Sequence, residues 1–215
     1  MAIYMKNTTL DRVLEKLSRN FRAVVNEYVS FLLNRRVMVN LHNAHDGFLI
    51  LNVGCANNNL GDVRLDIERT EAANIIADAR YLPFRDKCFD LVLLLSVLHH
   101  IKDYNKVISE TKRVCKRFFV GYEPNVFHPY MINLTYILRL TSERGISPIK
   151  LRRTLVAGET FKLVFEEYMV ALRPYLLFFP YYLLRKFFPV FINFDRYVPR
   201  LLRGYYLYVC YRRDG

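Results

Sequence analysis

Two aspartates that each follow a short apolar run are the residues in this sequence best suited to bind a ligand. Asp66 comes 12 residues after Gly54, at the end of an apolar run, and its carboxylate could accept hydrogen bonds from both hydroxyls of a ribose. Asp78 ends a second run and could accept a hydrogen bond from the amino group of an adenine. Each aspartate alone is about as well explained as a turn residue at a strand end. Together they predict that one nucleoside lies across the two strand ends.

The turn that precedes Asp66 lacks its usual glycines. Gly54 lets the backbone pass close to a ligand, because no side chain stands between them. Ala56 and Asn58 occupy positions at which further glycines would be usual. Asparagine tolerates a positive φ more readily than any residue except glycine, so we expect the asparagines to keep the turn tight.

Alternating strands and helices must position these residues. Short apolar runs predict strands at Phe48–Val53, Val63–Ile67, Asn74–Ala77, Phe89–Leu95 and Phe118–Glu123. Helical spacing predicts a helix over Tyr104–Lys116, and Ser147 followed by Pro148 predicts the start of another. Residues 161–168 and 205–213 read as two further strands. The pattern indicates an α/β protein whose ligand lies beyond the carboxyl ends of parallel strands.

Four stretches of this core resemble a known family. They are L-N-V-G-C-A-N-N-N-L-G-D-V-R-L-D (51–66), A-D-A-R-Y-L-P-F-R-D-K-C-F-D-L-V (77–92), S-V-L-H-H-I-K-D (96–103) and E-T-K-R-V (110–114). They look like class I S-adenosylmethionine-dependent methyltransferases, and among these a compact, type 11-like subgroup that acts on small molecules. The resemblance covers residues 48–125. It implies a Rossmann-like three-layer sandwich, a seven-stranded, mostly parallel sheet, and S-adenosylmethionine as the cofactor.

The resemblance also implies which residues bind the cofactor. Gly54 and Cys55 would line its methionine part, Asp66 its ribose, and Asp78 with Ala79 its adenine. The full predicted set is Asn52, Gly54, Cys55, Ala56, Asp66, Ile67, Asp78, Ala79, Leu95 and Ser96, of which the last two would border the sulfonium.

The short link to the second strand departs from the usual pattern. Four residues, Asn59 to Asp62, follow the loop, whereas a parallel crossover usually needs a dozen or more. We therefore expect the first helix of the core to be nearly absent. An amphipathic helix over residues 8–34 would cover the sheet face left bare. A dinucleotide-binding oxidoreductase would require G-x-G-x-x-G, a helix directly after it and an acidic residue about 20 positions on, and the sequence has none of these.

A general base is needed only if the methyl acceptor must lose a proton, because S-adenosylmethionine carries its own leaving group. His128 is the first candidate for this catalytic role, with His99 and Tyr122 as further candidates. The resemblance implies a structural role for His100. The four cysteines have no C-x-x-C spacing, so we predict no metal site, no disulfide framework and a reducing, cytoplasmic setting.

The positive charge and the aromatic residues concentrate near the end of the chain. Residues 126–215 hold +8 of the net charge of +12, and 15 of the 32 Phe and Tyr residues fall within 168–211. The segment 169–204 could be a packed lid, a surface for anionic lipid, or an RNA-binding surface. We expect its prolines to break it into short amphipathic pieces at Pro174, Pro180, Pro189 and Pro199.

These observations predict four regions: an N-terminal helical extension (1–46), a cofactor-binding core (47–168), the aromatic and basic insertion (169–204) and a last core strand (205–215). The predicted function is methyl transfer to a small, apolar or lipid-like acceptor, in the cytoplasm or at the inner face of a membrane. Two alternatives stay open. One is an inactive methyltransferase fold that binds a membrane or a partner, and the other is an RNA methyltransferase.

Overall fold

Seven strands form one sheet with six strands running in the same direction. The computed structural model describes residues 48–129, 145–169 and 181–213. The strands are β1 (Ile50–Val53), β2 (Val63–Asp66), β3 (Ile75–Ile76), β4 (Phe89–Leu95), β5 (Cys115–Pro124), β6 (Phe161–Met169) and β7 (Tyr205–Arg212). Their order is β3-β2-β1-β4-β5-β7-β6, and β7 is antiparallel to both of its neighbours. The predicted seven-stranded, mostly parallel sheet is confirmed.

Three α-helices accompany the sheet within the described residues. They are α1 (Tyr104–Val114), α2 (Pro148–Val156) and α3 (Tyr181–Phe194), and three-residue 3₁₀ turns lie at Leu98–His100, Asp195–Tyr197 and Arg200–Leu202. Ser147 caps α2 by accepting from the backbone N–H of Lys150, with Pro148 in the first turn, as the sequence predicts. Helix α1 ends two residues earlier than predicted because Cys115 is already extended and begins β5.

Both faces of the sheet are buried. On one face, the strands pack with α1 and α2 in a single apolar cluster that includes Leu51, Val92, Phe119, Val107 and Leu151. On the other face Ile50, Leu93 and Val120 are no more than 1% exposed. The sheet is therefore the middle layer, as the sandwich prediction requires. The helix predicted over residues 8–34 lies outside the described residues.

The connection from β1 to β2 contains no helix, which confirms the truncated crossover. The side-chain amide of Asn52 instead donates to the carbonyl of Leu60 at 3.1 Å. Asp62 accepts from the N–H of Ile50 through its carboxylate and donates its own N–H to the Ile50 carbonyl, at 2.9 and 3.0 Å. These bonds satisfy the Leu60 carbonyl and both backbone groups of Ile50 without a helix in the connection.

The insertion before β7 is less fragmented than predicted. Helix α3 runs through position 189 without a break, so the expectation of a break at Pro189 is wrong. A proline inside a helix removes one backbone hydrogen bond but does not necessarily end the helix. Pro199 does precede a separate 3₁₀ turn. Pro174 and Pro180 lie outside the described residues.

Candidate active site

The carboxyl ends of β1, β2 and β4 meet at one edge of the sheet, around Gly54. The backbone N–H groups of Gly54 and Cys55 both donate to the carbonyl of Leu65 in β2, at 2.8 and 3.1 Å. Gly54 has a φ of 67°, and a Cβ at this position would lie 2.1 Å from Cγ2 of Val97, just beyond β4. Only glycine fits such a conformation at such a close approach. The loop after β1 is thus held between the ends of its two neighbouring strands.

Ala56, rather than an asparagine, takes the left-handed conformation in this loop. Its φ is 47°, and Asn58 is not among the residues with positive φ, so the expected role of the asparagines is wrong. Asn58 instead accepts the N–H of Leu60 through its side chain at 2.8 Å and so closes a local turn. The N–H of Ala56 donates to Asp66 at 2.8 Å, and its carbonyl accepts from the Thr70 hydroxyl at 2.5 Å. These contacts hold the strained residue in place.

Asp66 ends β2 and joins the loop to its own strand end. One carboxylate oxygen accepts from the N–H of Ala56, and the other accepts from the N–H of Glu68 at 3.1 Å. A carboxylate offers about four lone-pair positions, and Asp66 is only half-buried, so it keeps acceptor capacity toward solvent. Ile67, the next residue, is 66% exposed. The carboxylate and this apolar side chain offer the two kinds of contact that a nucleoside uses.

Asp78 lies at the same edge but is paired. The N–H of Ala77 donates to the carbonyl of Asp66, which places Asp78 next to the end of β2. Its carboxylate accepts from the Arg80 guanidinium at 2.6 to 3.1 Å. These hydrogen bonds to Arg80 hold the pKa of Asp78 below its usual value, so the group stays ionised. An adenine amino group at this position would share the carboxylate with Arg80.

The remaining predicted cofactor residues are mostly buried supports. Asn52, Cys55 and Ala79 are at most 7% exposed. Burial, with the nearby Asp66 charge, raises the pKa of the Cys55 thiol, so this cysteine is a packed neighbour of the loop and not a nucleophile. Leu95 and Ser96 are partly exposed at the end of β4, and Ser96 has a φ of 61° with its N–H bonded to the Tyr122 carbonyl at 2.8 Å.

A buried carboxylate that is not among the predicted site residues organises the end of β4. One oxygen of Glu123 accepts the N–H groups of Val97 and Leu98 at 3.0 and 2.8 Å. The other accepts the N–H of His99 at 3.3 Å and lies 2.7 Å from Nδ1 of the same histidine. The Glu123 oxygen that contacts Nδ1 already accepts a backbone N–H, so it acts as the acceptor and Nδ1 of His99 as the donor of this bond. Glu123 thereby ties the end of β5 to the 3₁₀ turn after β4.

The three candidate bases, His99, Tyr122 and His128, all have buried side chains but differ in their contacts. The side chain of His99 is 2% exposed and points inward to Glu123, not to the rim. Tyr122 is 1% exposed and packs edge-on against Tyr205, with ring centroids 5.5 Å apart. His128 is 3% exposed, so it is less open than predicted. His100, for which a structural role was expected, is the exposed member of the histidine pair.

Asn125 anchors the insertion to the end of β5. Its side-chain amide donates to the carbonyls of Leu201 and Arg203 at 2.7 and 2.8 Å, and its backbone N–H donates to the Gly204 carbonyl at 2.9 Å. The sequence E-P-N at 123–125 was the available signal for both Glu123 and Asn125, since two polar residues follow a run of apolar ones at a strand end. No group of three His, Cys, Asp or Glu residues that could hold a metal occurs in the described ranges.

Comparisons with known proteins find similarity to this chain. Residues 47–118 match the family model described as a methyltransferase domain. An uncharacterised protein of Methanocaldococcus jannaschii is 32% identical over 116 residues, which covers 47% of this chain and 48% of that protein. The chain therefore aligns with about half the length of this curated relative.

Two solved structures share the fold. A SAM-dependent methyltransferase from Archaeoglobus fulgidus superposes with a TM-score of 0.54 at 18% identity, covering 87% of this chain and 94% of that one. Magnesium protoporphyrin IX methyltransferase from Synechocystis PCC 6803, solved with bound SAH, gives 0.54 at 12% identity, covering 97% and 89%. Residues 47–118 of this chain therefore match a methyltransferase domain, and the chain shares the fold of these two methyltransferases.

Proposed function

We propose that this protein transfers a methyl group from S-adenosylmethionine to a small, apolar or lipid-like acceptor. The observation that carries the proposal is the sheet edge at which the Gly54 loop, the half-open carboxylate of Asp66 and the end of β4 come together. The side chains at this edge suit S-adenosylmethionine. Asp66 would accept from the ribose hydroxyls, Ile67 would cover an apolar face of the nucleoside, and Gly54 would allow close backbone approach.

The cofactor supplies a methyl group on a positive sulfur with its own leaving group, so the protein mainly has to orient the two reactants. The Asp66 bond to Ala56 fixes the loop after β1 relative to the end of β2. The four contacts of Glu123 fix the turn after β4, where the predicted sulfonium neighbours Leu95 and Ser96 lie. Both carboxylates thus preorganise the walls of the site before any reactant binds.

The acceptor side of the site supports an apolar substrate. Three buried or partly buried polar side chains at the ends of β4 and β5 are already engaged: Glu123 and His99 bind each other, and Asn125 holds the insertion. Their neighbours include Val97, Tyr122 and Phe127. A site of this kind favours the burial of apolar surface over the recognition of charge. His128 remains the proposed base for an acceptor that must lose a proton.

Calorimetric titration with S-adenosylhomocysteine tests the cofactor half of the proposal. We expect binding in the micromolar range, and Asp66→Asn should weaken it at least tenfold because a charged acceptor is lost while Ala56 keeps an oxygen partner. Glu68→Gln, an exposed neighbour, is the matched control. No binding by the wild type would contradict the proposal and favour an inactive fold that binds a membrane or a partner.

Labelled S-adenosylmethionine tests the acceptor half. The purified protein is incubated with a total lipid extract, with RNA and with a water-soluble metabolite extract, and the label in each fraction is counted. We expect transfer to the lipid fraction, and a His128→Ala variant that still binds S-adenosylhomocysteine should lose most of it if a proton must be removed. Transfer to RNA alone would refute the apolar acceptor and support the RNA methyltransferase hypothesis.

A further inference from the structure

We infer that the segment from α3 to the last 3₁₀ turn, residues 182–202, is a docking surface for an anionic lipid bilayer. This inference rests on the proposed function, because a lipid-like acceptor lies in a membrane. The surface would bring the active site to that membrane. Docking itself needs neither cofactor nor turnover, so the two proposals can fail separately.

The exposed face of α3 is unusually apolar. Among the side chains described in this helix, Tyr182, Phe187, Val190 and Phe194 are each 40% or more exposed. At about 100° per residue, they fall with Lys186 and Asn193 within an arc of about 140°. A water-facing helix normally carries charged and polar residues on such an arc. The face is therefore built for contact with something other than water.

The same surface continues beyond the helix. Tyr197 is 75% exposed, and Leu201 and Leu202 are 45% and 40% exposed. The rings of Phe194 and Tyr197 lie edge-to-face with centroids 5.8 Å apart, which joins the end of α3 to the following turn. The seven large apolar residues that are exposed among the side chains described between 182 and 202 form what we call the apolar strip. Contiguous exposed apolar surface of this kind marks interaction sites on soluble proteins.

The charge beside the apolar strip identifies the occupant. Lys186, Arg196 and Arg200 are exposed next to it. The one acidic residue between positions 181 and 204 is Asp195, which is 4% exposed. A positively charged, aromatic-rich surface without exposed acidic groups complements the headgroup region of an anionic bilayer, where phosphates meet the acyl boundary. A protein partner with a mixed surface would be matched less well by charge of a single sign.

The mode of contact is peripheral. None of the described helices combines the length and the apolar character that a membrane span needs. The strip would therefore lie in the interface, with the aromatic rings at the headgroup level and the three cations on lipid phosphates. Through Asn125, the end of this segment is tied to the end of β5 and so to the edge that carries the cofactor residues.

The test is co-sedimentation with two kinds of vesicle. One contains phosphatidylcholine alone, and the other also contains roughly 30% phosphatidylglycerol, an anionic lipid. We expect the full chain to bind the anionic vesicles at low salt and to be released at high salt. The triple variant Lys186→Glu, Arg196→Glu, Arg200→Glu should bind at least tenfold more weakly, because each basic residue contributes to the attraction. The double variant Phe194→Ser, Tyr197→Ser should also weaken binding, at unchanged net charge.

A matched control separates the surface from the overall charge. The triple variant Lys150→Glu, Arg153→Glu, Lys162→Glu changes the same charge at three exposed residues of α2 and β6. It should bind within about threefold of the wild type, since these residues lie outside the strip. An unchanged circular dichroism spectrum and an unchanged midpoint of thermal unfolding show that each variant is folded, whether or not the chain binds S-adenosylhomocysteine.

Three outcomes would overturn the inference. They are no binding of the wild type to anionic vesicles at low salt, equal loss in the control and the strip variants, and a concentration-dependent dimer that Phe194→Ser, Tyr197→Ser abolishes. The last outcome would make a second copy of the chain the occupant.

Discussion

Glu123 shows how much one residue can hold in this protein. Its carboxylate is fully buried and accepts from three backbone N–H groups and from the His99 ring. Glu123→Ala would leave these donors buried without a partner, and each such group costs about 1–3 kcal/mol. We expect the free energy of unfolding to fall by about 3 kcal/mol or more, measured by urea titration.

Glu123→Gln separates the two oxygens of this carboxylate. The glutamine oxygen can keep the bonds to Val97 and Leu98, while its NH₂ group would face the N–H of His99. We expect a smaller loss than for alanine, about 1–2 kcal/mol. Glu159→Gln, which changes an exposed carboxylate in the turn after α2, is the control and should be neutral. If alanine and glutamine cost the same, the division of roles between the two oxygens is wrong.

For single residues, the sequence predicted which side chains lie at the strand ends. It did not predict the hydrogen bonds that these side chains make. Asp66 and Asp78 lie at one edge, as predicted, because parallel pairing of β2 with β3 fixes where they fall. The inward rotation of His99 could not be predicted, because it depends on Glu123, which is 24 positions away along the chain. A partner that distant is set by the register of β4 against β5.

The conformation of the loop after β1 predicts how a substitution at Ala56 changes stability. Ala56 sits in the left-handed region at a φ of 47°, which costs an L-residue about 1–2 kcal/mol. Glycine removes this strain but adds about 0.4–1 kcal/mol of freedom to the unfolded chain. We expect Ala56→Gly to raise the free energy of unfolding by about 0.5–1 kcal/mol, measured by thermal and urea unfolding.

The control for this change is Ala73→Gly, in the link between β2 and β3, where φ is not positive and glycine should destabilise. A lower stability for Ala56→Gly would mean that the bonds from Asp66 and Thr70 make the alanine conformation favourable. Ala56, which stands where a glycine would be usual, would then stabilise this loop rather than weaken it.

The anchor of the insertion is a second element-scale prediction. Asn125→Ala removes two hydrogen bonds to the carbonyls of Leu201 and Arg203 and one from the N–H of Phe127. We expect amide hydrogens near residues 198–204 to exchange faster by at least tenfold, since local opening loses these bonds. The amides of β4 should keep their protection. Mass spectrometry of peptides after hydrogen exchange measures both, and equal loosening of β4 would show that Asn125 supports the whole core.

The elements themselves were largely predictable because their signals are local. A buried apolar run specified β4 to the residue, and Ser147 with Pro148 specified the start of α2. The course of α3 was not, because proline is read from sequence as a helix breaker although a packed helix can accommodate it. The regions predicted at 1–46 and between 170 and 180 lie outside the described residues and stay predictions.

For the whole molecule, β7 is the strand that ties the sheet together, since it lies between β5 and β6. Tyr206, Tyr208 and Cys210 alternate along it on the face of the main apolar cluster, each fully buried. Burial raises the pKa of Tyr206 and Tyr208 above the usual value. These side chains therefore remain neutral in the native state, and the core depends on their staying so.

The cysteines of this core make stability depend on alkaline pH. Burial raises the pKa of Cys115 and of Cys210 from 9.0 to about 12, although Arg212 and Lys112 respectively act to lower it. Below pH 9 both the native and the unfolded chain keep the thiol protons, so the contribution is fully present. As pH rises toward 12, the unfolded chain loses these protons first and stability falls.

The loss of stability at alkaline pH can be measured as the slope of the unfolding free energy against pH. Each thiol should contribute up to about 1.4 kcal/mol of destabilisation per pH unit above pH 9. We expect Cys210→Ala to reduce the slope of unfolding free energy against pH between about 9 and 10, because the thiol contribution is removed while the contribution of the tyrosines, which begin to ionise in the unfolded chain in this range, stays the same. Val209→Ala, on the same strand, also creates a cavity but removes no proton, so its slope should match that of the wild type. The same slope in the wild type and both variants would mean that the buried thiols do not control alkaline unfolding. In that case, the stability of the core would not depend on keeping the Cys210 thiol of β7 uncharged.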